Sequence, residues 1–168
     1  MIRKMEAADI PRVAEIIVFG WRSAYRGIIS DEYLFNERLV TSQINSLEEA
    51  MRDGNAEHYV FDDGIVKAML KICPCSDEDK VDAFELYELY VDPFFQKQGI
   101  GALMIDFFEE RAKEYGYNEL CIWTFEKNAV ARVLYEKCGY VVDGEVDYLE
   151  QFKATGVRYT KELKGGQK

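Results

Sequence analysis

Three short stretches of this chain carry residue types at spacings that suit chemistry. The first is Gln96-Lys97-Gln98-Gly99-Ile100-Gly101-Ala102, between a β-prone stretch ending at Val91 and a long amphipathic one. It reads as a turn that joins a strand to a helix. Glycine lets backbone come close to a ligand. The first amides of a helix lack internal partners and point outward, and with the helix dipole they suit phosphate or pyrophosphate. Lys97 adds a positive charge there. The competing reading is an ordinary helix start with a tight packing glycine. Two other phosphate loops do not fit. The pattern G-x-x-x-x-G-K-S/T occurs nowhere. The fingerprint G-x-G-x-x-G meets Met104 at its third glycine, and Gly99 lies eight positions after Val91, too far for its tight turn.

The second stretch runs from Asn128 to Tyr135. These two are seven residues apart, almost two helical turns, so they share a face with small Ala131 between them. That pattern suits a ligand-lining stripe. It equally suits an N-cap at Asn128 and a tyrosine packed with its hydroxyl at the surface. The third stretch, Phe84 to Val91, holds two carboxylates. Strand alternation places Glu85, Tyr87, Leu89 and Val91 on one face and Phe84, Leu86, Glu88 and Tyr90 on the other. Nearer the start, Trp21 and Tyr25 lie four apart on one helical face, and Tyr33 can join them. Such aromatics can hold a cationic amine or simply pack a helix on a sheet. Arg22 and Arg26 could instead meet an acidic acceptor.

The elements that must position these groups follow in order. Ile2–Met5 reads as a short strand. Asp9 and Pro11 open a helix carried by Ile10, Val13, Ile16, Ile17 and Trp21, fading near Gly27. Helix starts follow at Ser30 and at Ser46–Arg52. Strands at 58–61 and 65–72 flank the turn Asp62-Asp63-Gly64. Ser76–Lys80 reads as a solvated polar loop, and 84–91 as a strand stopped by Asp92-Pro93. A helix over Gly101–Tyr115 presents Leu103, Met104, Phe107, Phe108, Ala112 and Tyr115 to the core. Then come a strand at 120–125, a helix with a core face of Val130, Val133, Leu134 and Cys138, and two strands over 140–146 and 157–163. Early hairpins followed by two strand–helix–strand passes predict an α+β domain over 1–163. Its mixed, mostly antiparallel sheet has six to seven strands flanked by helices. Residues 164–168 read as a flexible tail.

Two segments carry a family likeness. Leu89-Tyr90-Val91-Asp92-Pro93 followed by Gln96-x-x-Gly99-x-Gly101 resembles the acetyl-CoA signature Gln/Arg-x-x-Gly-x-Gly/Ala of the GNAT superfamily of N-acetyltransferases. Asn128 to Tyr140, an Asn-led helix with Leu134-Tyr135 and a Gly139-Tyr140 end, resembles its second signature. The order of elements fits over essentially the whole chain. The resemblance implies a GNAT fold splayed between strands 4 and 5, with acetyl-CoA in the gap. It gives the pyrophosphate to the backbone amides of Gln96, Lys97, Gln98, Gly99, Ile100, Gly101 and Ala102. The pantetheine arm would pair with the backbone of Leu89, Tyr90 and Val91, while Asn128, Ala131 and Tyr135 would line the cofactor. Tyr135 corresponds to the general acid beside the sulfur. Glu85, six residues before Val91, corresponds to the base used by some members, directly or through water; others rely on water alone. Trp21, Tyr25 and Tyr33 fall where the acceptor pocket is usually shaped. The implied reaction is acetyl transfer from acetyl-CoA to a primary amine in a ternary complex. The acceptor expected is a small molecule, with a protein N-terminus or lysine as the alternative. A noncatalytic acyl-CoA-binding regulator is a further class. Relatives often dimerise, so a homodimer is a further implication.

Bulk composition narrows the rest. With 21 Lys and Arg against 31 Asp and Glu, the formal charge is −10. That leaves no general basic surface for nucleic acid; the charge would attract a cationic partner or simply serve solubility. Cys73, Cys75, Cys121 and Cys138 form no zinc-type pattern, and His58 is the only histidine. No metal is expected, and the cysteines read as core thiols in a reducing compartment. Residues 1–6 start no signal-like apolar run, and no stretch reaches membrane-spanning length. A cytoplasmic protein with no membrane partner is the expectation.

Overall fold

The computed structural model describes residues 1–163; the tail expected at 164–168 lies outside them. Seven strands form one sheet: β1 (Ile2–Lys4), β2 (Glu57–Asp62), β3 (Val66–Pro74), β4 (Ala83–Val91), β5 (Glu119–Phe125), β6 (Val141–Leu149) and β7 (Ala154–Glu162). Their order across the sheet is β1-β2-β3-β4-β5-β7-β6. Every pairing is antiparallel except β4 with β5. The β2–β3 turn falls where Asp62-Asp63-Gly64 predicted it. Gly64 takes φ 103°, and the Asp62 carboxylate accepts its amide at 2.9 Å.

Helices cover both faces. Strand alternation sends Val60 and Met69 to one side, where α1 (Ile10–Ala24) packs Val13, Ile16 and Ile17, and α2 (Val40–Asp53) packs Leu47. It sends Tyr59, Ala68, Leu70 and Ile72 to the other. There α3 (Ile100–Tyr115) packs Met104, Ile105 and Phe108, and α4 (Ala129–Lys137) adds Tyr135. A π-helical turn at Tyr33–Glu37 links α1 to α2.

Several local expectations are corrected. The third helix begins at Val40 rather than Ser46. On α3, Leu103 and Tyr115 are exposed and Ile105 takes the core position. On α4 the face is rotated: Val130 is 77% and Val133 49% exposed, whereas Tyr135 is buried. The aromatic ring fills the volume that the smaller valines were expected to fill, and burying it removes more apolar area from water.

Candidate active site

The sheet opens at its centre. β4 and β5 pair at only four positions, from Ala83 opposite Glu119 to Leu86 opposite Ile122. Beyond that β4 stays with β3 up to Val91 opposite Ala68, while β5 stays with β7 up to Phe125 opposite Gly156. The edge of Tyr87–Val91 that faces β5 is therefore left without a strand partner. Leu89, Tyr90 and Val91 all lie on it. An extended ligand can add to such an edge by main-chain hydrogen bonds.

A β-bulge corrects the reading of β4. Lys71 pairs with Glu88 but Ile72 pairs with Leu86, so Tyr87 is an extra residue. Alternation reverses across the bulge. Phe84, Leu86, Leu89 and Val91 then share the α3 side, while Tyr90 packs toward α1. Glu85 and Glu88, expected on opposite faces, both line the same pocket.

The glycine turn sits at the start of α3. Asp92 anchors its approach: its carboxylate accepts the Phe94 amide at 2.8 Å and pairs with Arg12 of α1. The Gln96 side-chain amide donates to the Val91 carbonyl at 3.2 Å. Gln96, Lys97, Gln98 and Gly99 are exposed, while Ile100 is buried and pins the helix. Gly99 adopts φ 82° with no atom within 4 Å of a would-be Cβ, so it serves backbone conformation. Gly101 is different: a Cβ there would lie 3.0 Å from Leu134 Cδ2. It lets α3 and α4 approach, which is the packing role considered for this turn. The first α-type bond runs from the Leu103 amide to the Gly99 carbonyl. The amides of Ile100, Gly101 and Ala102 precede it and are free for an anion.

On α4, Asn128 is the N-cap. Its side chain accepts the Ala131 amide at 3.3 Å and donates to Thr124 Oγ1 at 3.3 Å. Ala131 is half-buried on the same face. Tyr135 packs against Tyr159 and Tyr140, with centroids 5.8 and 6.4 Å away. Its hydroxyl has no hydrogen-bond partner among the described residues. Burial raises the phenol above its ordinary range, so it keeps its proton at neutral pH.

On the α1 side of the sheet, at the splay, lies a pocket of about 700 Å³. Trp21 and Tyr25 line it and meet edge to face at 4.9 Å; the Trp21 indole donates to Tyr90 Oη at 2.7 Å. Tyr33 lies behind them, packed on Trp21 and Phe152, and does not line the pocket. Seven carboxylates line it (Asp77, Glu78, Asp79, Glu85, Glu88, Glu145 and Asp147) against two guanidiniums, Arg38 and Arg158. Arg158 is already neutralised: only 3% exposed, it binds Asp77, Asp79 and Asp143. Arg38 stacks 3.5 Å from the Trp21 ring centroid. The loop expected to be merely solvated thus holds Arg158 and the pocket wall. Arg38, Trp123, Phe152 and Arg158 were missed because no local pattern marks them; they meet only through tertiary packing.

Glu85 is 6% exposed and accepts no hydrogen bond from a described residue. Burial, and then the negative charge of Asp77, pushes its carboxyl up to about 7, against a smaller pull from Lys71. Burial also raises Glu88, opposed by Lys71 and Arg38.

Residues 21–140, well over half the chain, match the model of the Acetyltransferase (GNAT) family. The chain belongs to the GNAT family. Curated relatives agree. A probable N-acetyltransferase of Mycobacterium tuberculosis is 27% identical over 148 residues, 85% of this chain and 80% of its own length. A probable N-acetyltransferase 14 of Xenopus tropicalis is 28% identical over 90 residues, 54% of this chain and only 42% of that relative's length. Among solved structures, a PaiA N-acetyltransferase from Thermoplasma acidophilum in complex with coenzyme A superposes with a TM-score of 0.72 at 19% identity, covering 97% of this chain and 98% of that one. YncA from Salmonella typhimurium, a putative acetyltransferase with acetyl-CoA, gives 0.71 at 16% identity, covering 100% and 96%. These likenesses carry the GNAT fold, splayed sheet included.

Proposed function

We propose that this GNAT protein moves the acetyl group of acetyl-CoA to a primary amine of a small molecule, by direct attack in a ternary complex. The observation that carries this is the acidic, aromatic pocket set against the splay, with Glu85 in its wall. The excess of carboxylates attracts an alkylammonium, and Trp21 and Tyr25 supply the aromatic part of the wall around it. The turn and helix start at Gln96–Ala102 fit the pyrophosphate and the unpaired edge at Leu89–Val91 the pantetheine arm of acetyl-CoA, which supplies the activated thioester. Asn128 acts by holding the start of α4, and Tyr33 by backing Trp21.

The remaining chemistry falls to side chains. An alkylammonium must lose its proton before it can attack. Glu85 takes that proton, directly or through water; its raised carboxyl makes it a better acceptor than an ordinary glutamate. Glu88 is the weaker candidate, because Arg38 as well as Lys71 steadies its charge. Tyr135 gives its proton to the departing sulfur. The four free cysteines accord with a cytoplasmic setting, and no helix of the described residues is long and apolar enough to cross a membrane. The exposed apolar side chains Val141, Val142, Val146 and Tyr148 on edge strand β6 support a homodimer through that strand.

The test is calorimetric binding of acetyl-CoA, with ATP as control, followed by acetyl transfer to monoamines, diamines and basic peptides. Saturable one-to-one binding that ATP does not match is expected, with diamines preferred over monoamines of equal length. Preference for peptides would assign a protein acceptor instead. Binding without transfer to any amine would make the protein an acyl-CoA sensor. Glu85→Gln should lower kcat/KM for the acceptor about 100-fold, the lower end of general-base effects. Glu88→Gln should cost less. The reverse order would move the base to Glu88.

A further inference from the structure

Behind the wall that Glu85 lends to the pocket, two thiols meet. Cys121 stands opposite Glu85 in the parallel β4–β5 pairing. Cys75, just past the end of β3, is tied back by its amide to the Ala83 carbonyl at 2.9 Å. This folds Cys121 Sγ to within 2.9 Å of Cys75 Sγ. The two sulfurs and a Glu85 carboxylate oxygen all lie within 4.8 Å of one another. All three residues are more than nine-tenths buried, and no described cation forms an ion pair with Glu85.

Two sulfurs and one carboxylate, drawn from three separate segments, are a borderline-soft ligand set. Zinc takes such ligands tetrahedrally, and three protein ligands with one open position is a familiar arrangement for it. Bonds of about 2.3 Å to zinc hold two sulfurs about 3.8 Å apart, so these two need to separate by about 0.9 Å. Glu85 lines the pocket and the two cysteines do not. An ion arriving through the carboxylate-rich pocket meets Glu85 first and the sulfurs behind it.

We propose that Cys75, Glu85 and Cys121 form a binding site for a thiophilic divalent cation of the zinc class, entered from the acceptor pocket. On binding, both thiols release their protons to solvent and coordinate as thiolates. The fourth position faces the pocket. One consequence rests on reading Glu85 as the base: a bound ion takes that carboxylate out of proton transfer, so metal and acceptor compete for the site.

The test is an anaerobic titration of the reduced full-length protein with Co²⁺, followed by displacement with Zn²⁺. Absorption and calorimetry provide the readouts, neither of which needs acetyl transfer. One Co²⁺ per chain is expected, with a thiolate-to-cobalt charge-transfer band that zinc removes. Cys75→Ser and Cys121→Ala should each weaken zinc at least about 100-fold, since loss even of an indirect partner can cost that much. Glu85→Gln should weaken it as well. Cys73→Ser, whose sulfur lies outside the set, should not. Circular dichroism establishes that each variant is folded. Absence of the charge-transfer band in folded, reduced protein overturns the proposal. So does equal dependence on Cys73, or peptide mapping that finds Cys75 already joined to Cys121 in the purified protein. Failure here leaves the acetyl-CoA binding result standing, and the converse holds.

Discussion

Tyr135→Phe should lower turnover about 10²–10³-fold and leave acetyl-CoA affinity unchanged, within the range expected for loss of a general acid. The substitution keeps the ring that packs between Tyr140 and Tyr159. It removes a hydroxyl that bonds to no described residue, so the fold loses no hydrogen bond. What it removes is a proton. Burial holds the phenol above its ordinary range, so the donor is charged with its proton throughout the neutral range. The same low-dielectric surroundings disfavour a free thiolate and raise its basicity in step. Donation to the departing sulfur then stabilises charge that exists only late in the reaction, which is why kcat falls and ground-state binding does not. Single-turnover rates and calorimetric Kd measured on one preparation separate the two. Equal rates for both proteins would remove Tyr135 from the chemistry.

Gly99→Asp should weaken acetyl-CoA about 100-fold. The site tolerates the volume, because no atom lies within 4 Å of a Cβ built there. The positive φ of 82° costs an L residue roughly 1–2 kcal/mol of stability, with Asp among the better tolerated. The larger effect is electrostatic. A carboxylate about 5 Å from the pyrophosphate repels it by about 3 kcal/mol at an effective surface dielectric near 20, which converts to about 100-fold in Kd. Gly99→Asn carries the same strain without the charge and should bind nearly normally. Added salt should narrow the gap between the two variants. Equal affinity of the Asp variant and the unmodified protein would place the pyrophosphate elsewhere.

Much of this site was legible in the chain. The helix start, expected at Gly101 and found one residue earlier at Ile100, the cap at Asn128 and the Asp62–Gly64 turn are local devices. Each is set by the torsions and hydrogen bonds of a few successive residues, so spacing alone reveals them. The order of strands and helices follows from periodicity within each segment for the same reason. The two signature stretches lie on such segments, and that is why the family was readable before any fold was seen.

Tertiary structure decided what depends on a partner. The bulge at Tyr87 is a property of β4 paired with β3, not of β4 alone. Without the Lys71–Glu88 and Ile72–Leu86 register, simple alternation put Glu85 and Glu88 on opposite faces. The face of α4 was misread because the competition between Tyr135 and the two valines is settled by the shape of the cavity beneath the helix. Arg158 gathers Asp77, Asp79 and Asp143 across a long sequence gap, and Cys121 reaches Cys75 through the β4–β5 register and the bond that ties Cys75 back to Ala83. Cys73 and Cys75 are only two residues apart, yet β3 ends at Pro74 between them, and the chain then turns so that the Cys75 amide bonds back to the Ala83 carbonyl. Local spacing determines which backbone conformations are cheap; which side chains meet is set by strand register and topology, and both are long-range.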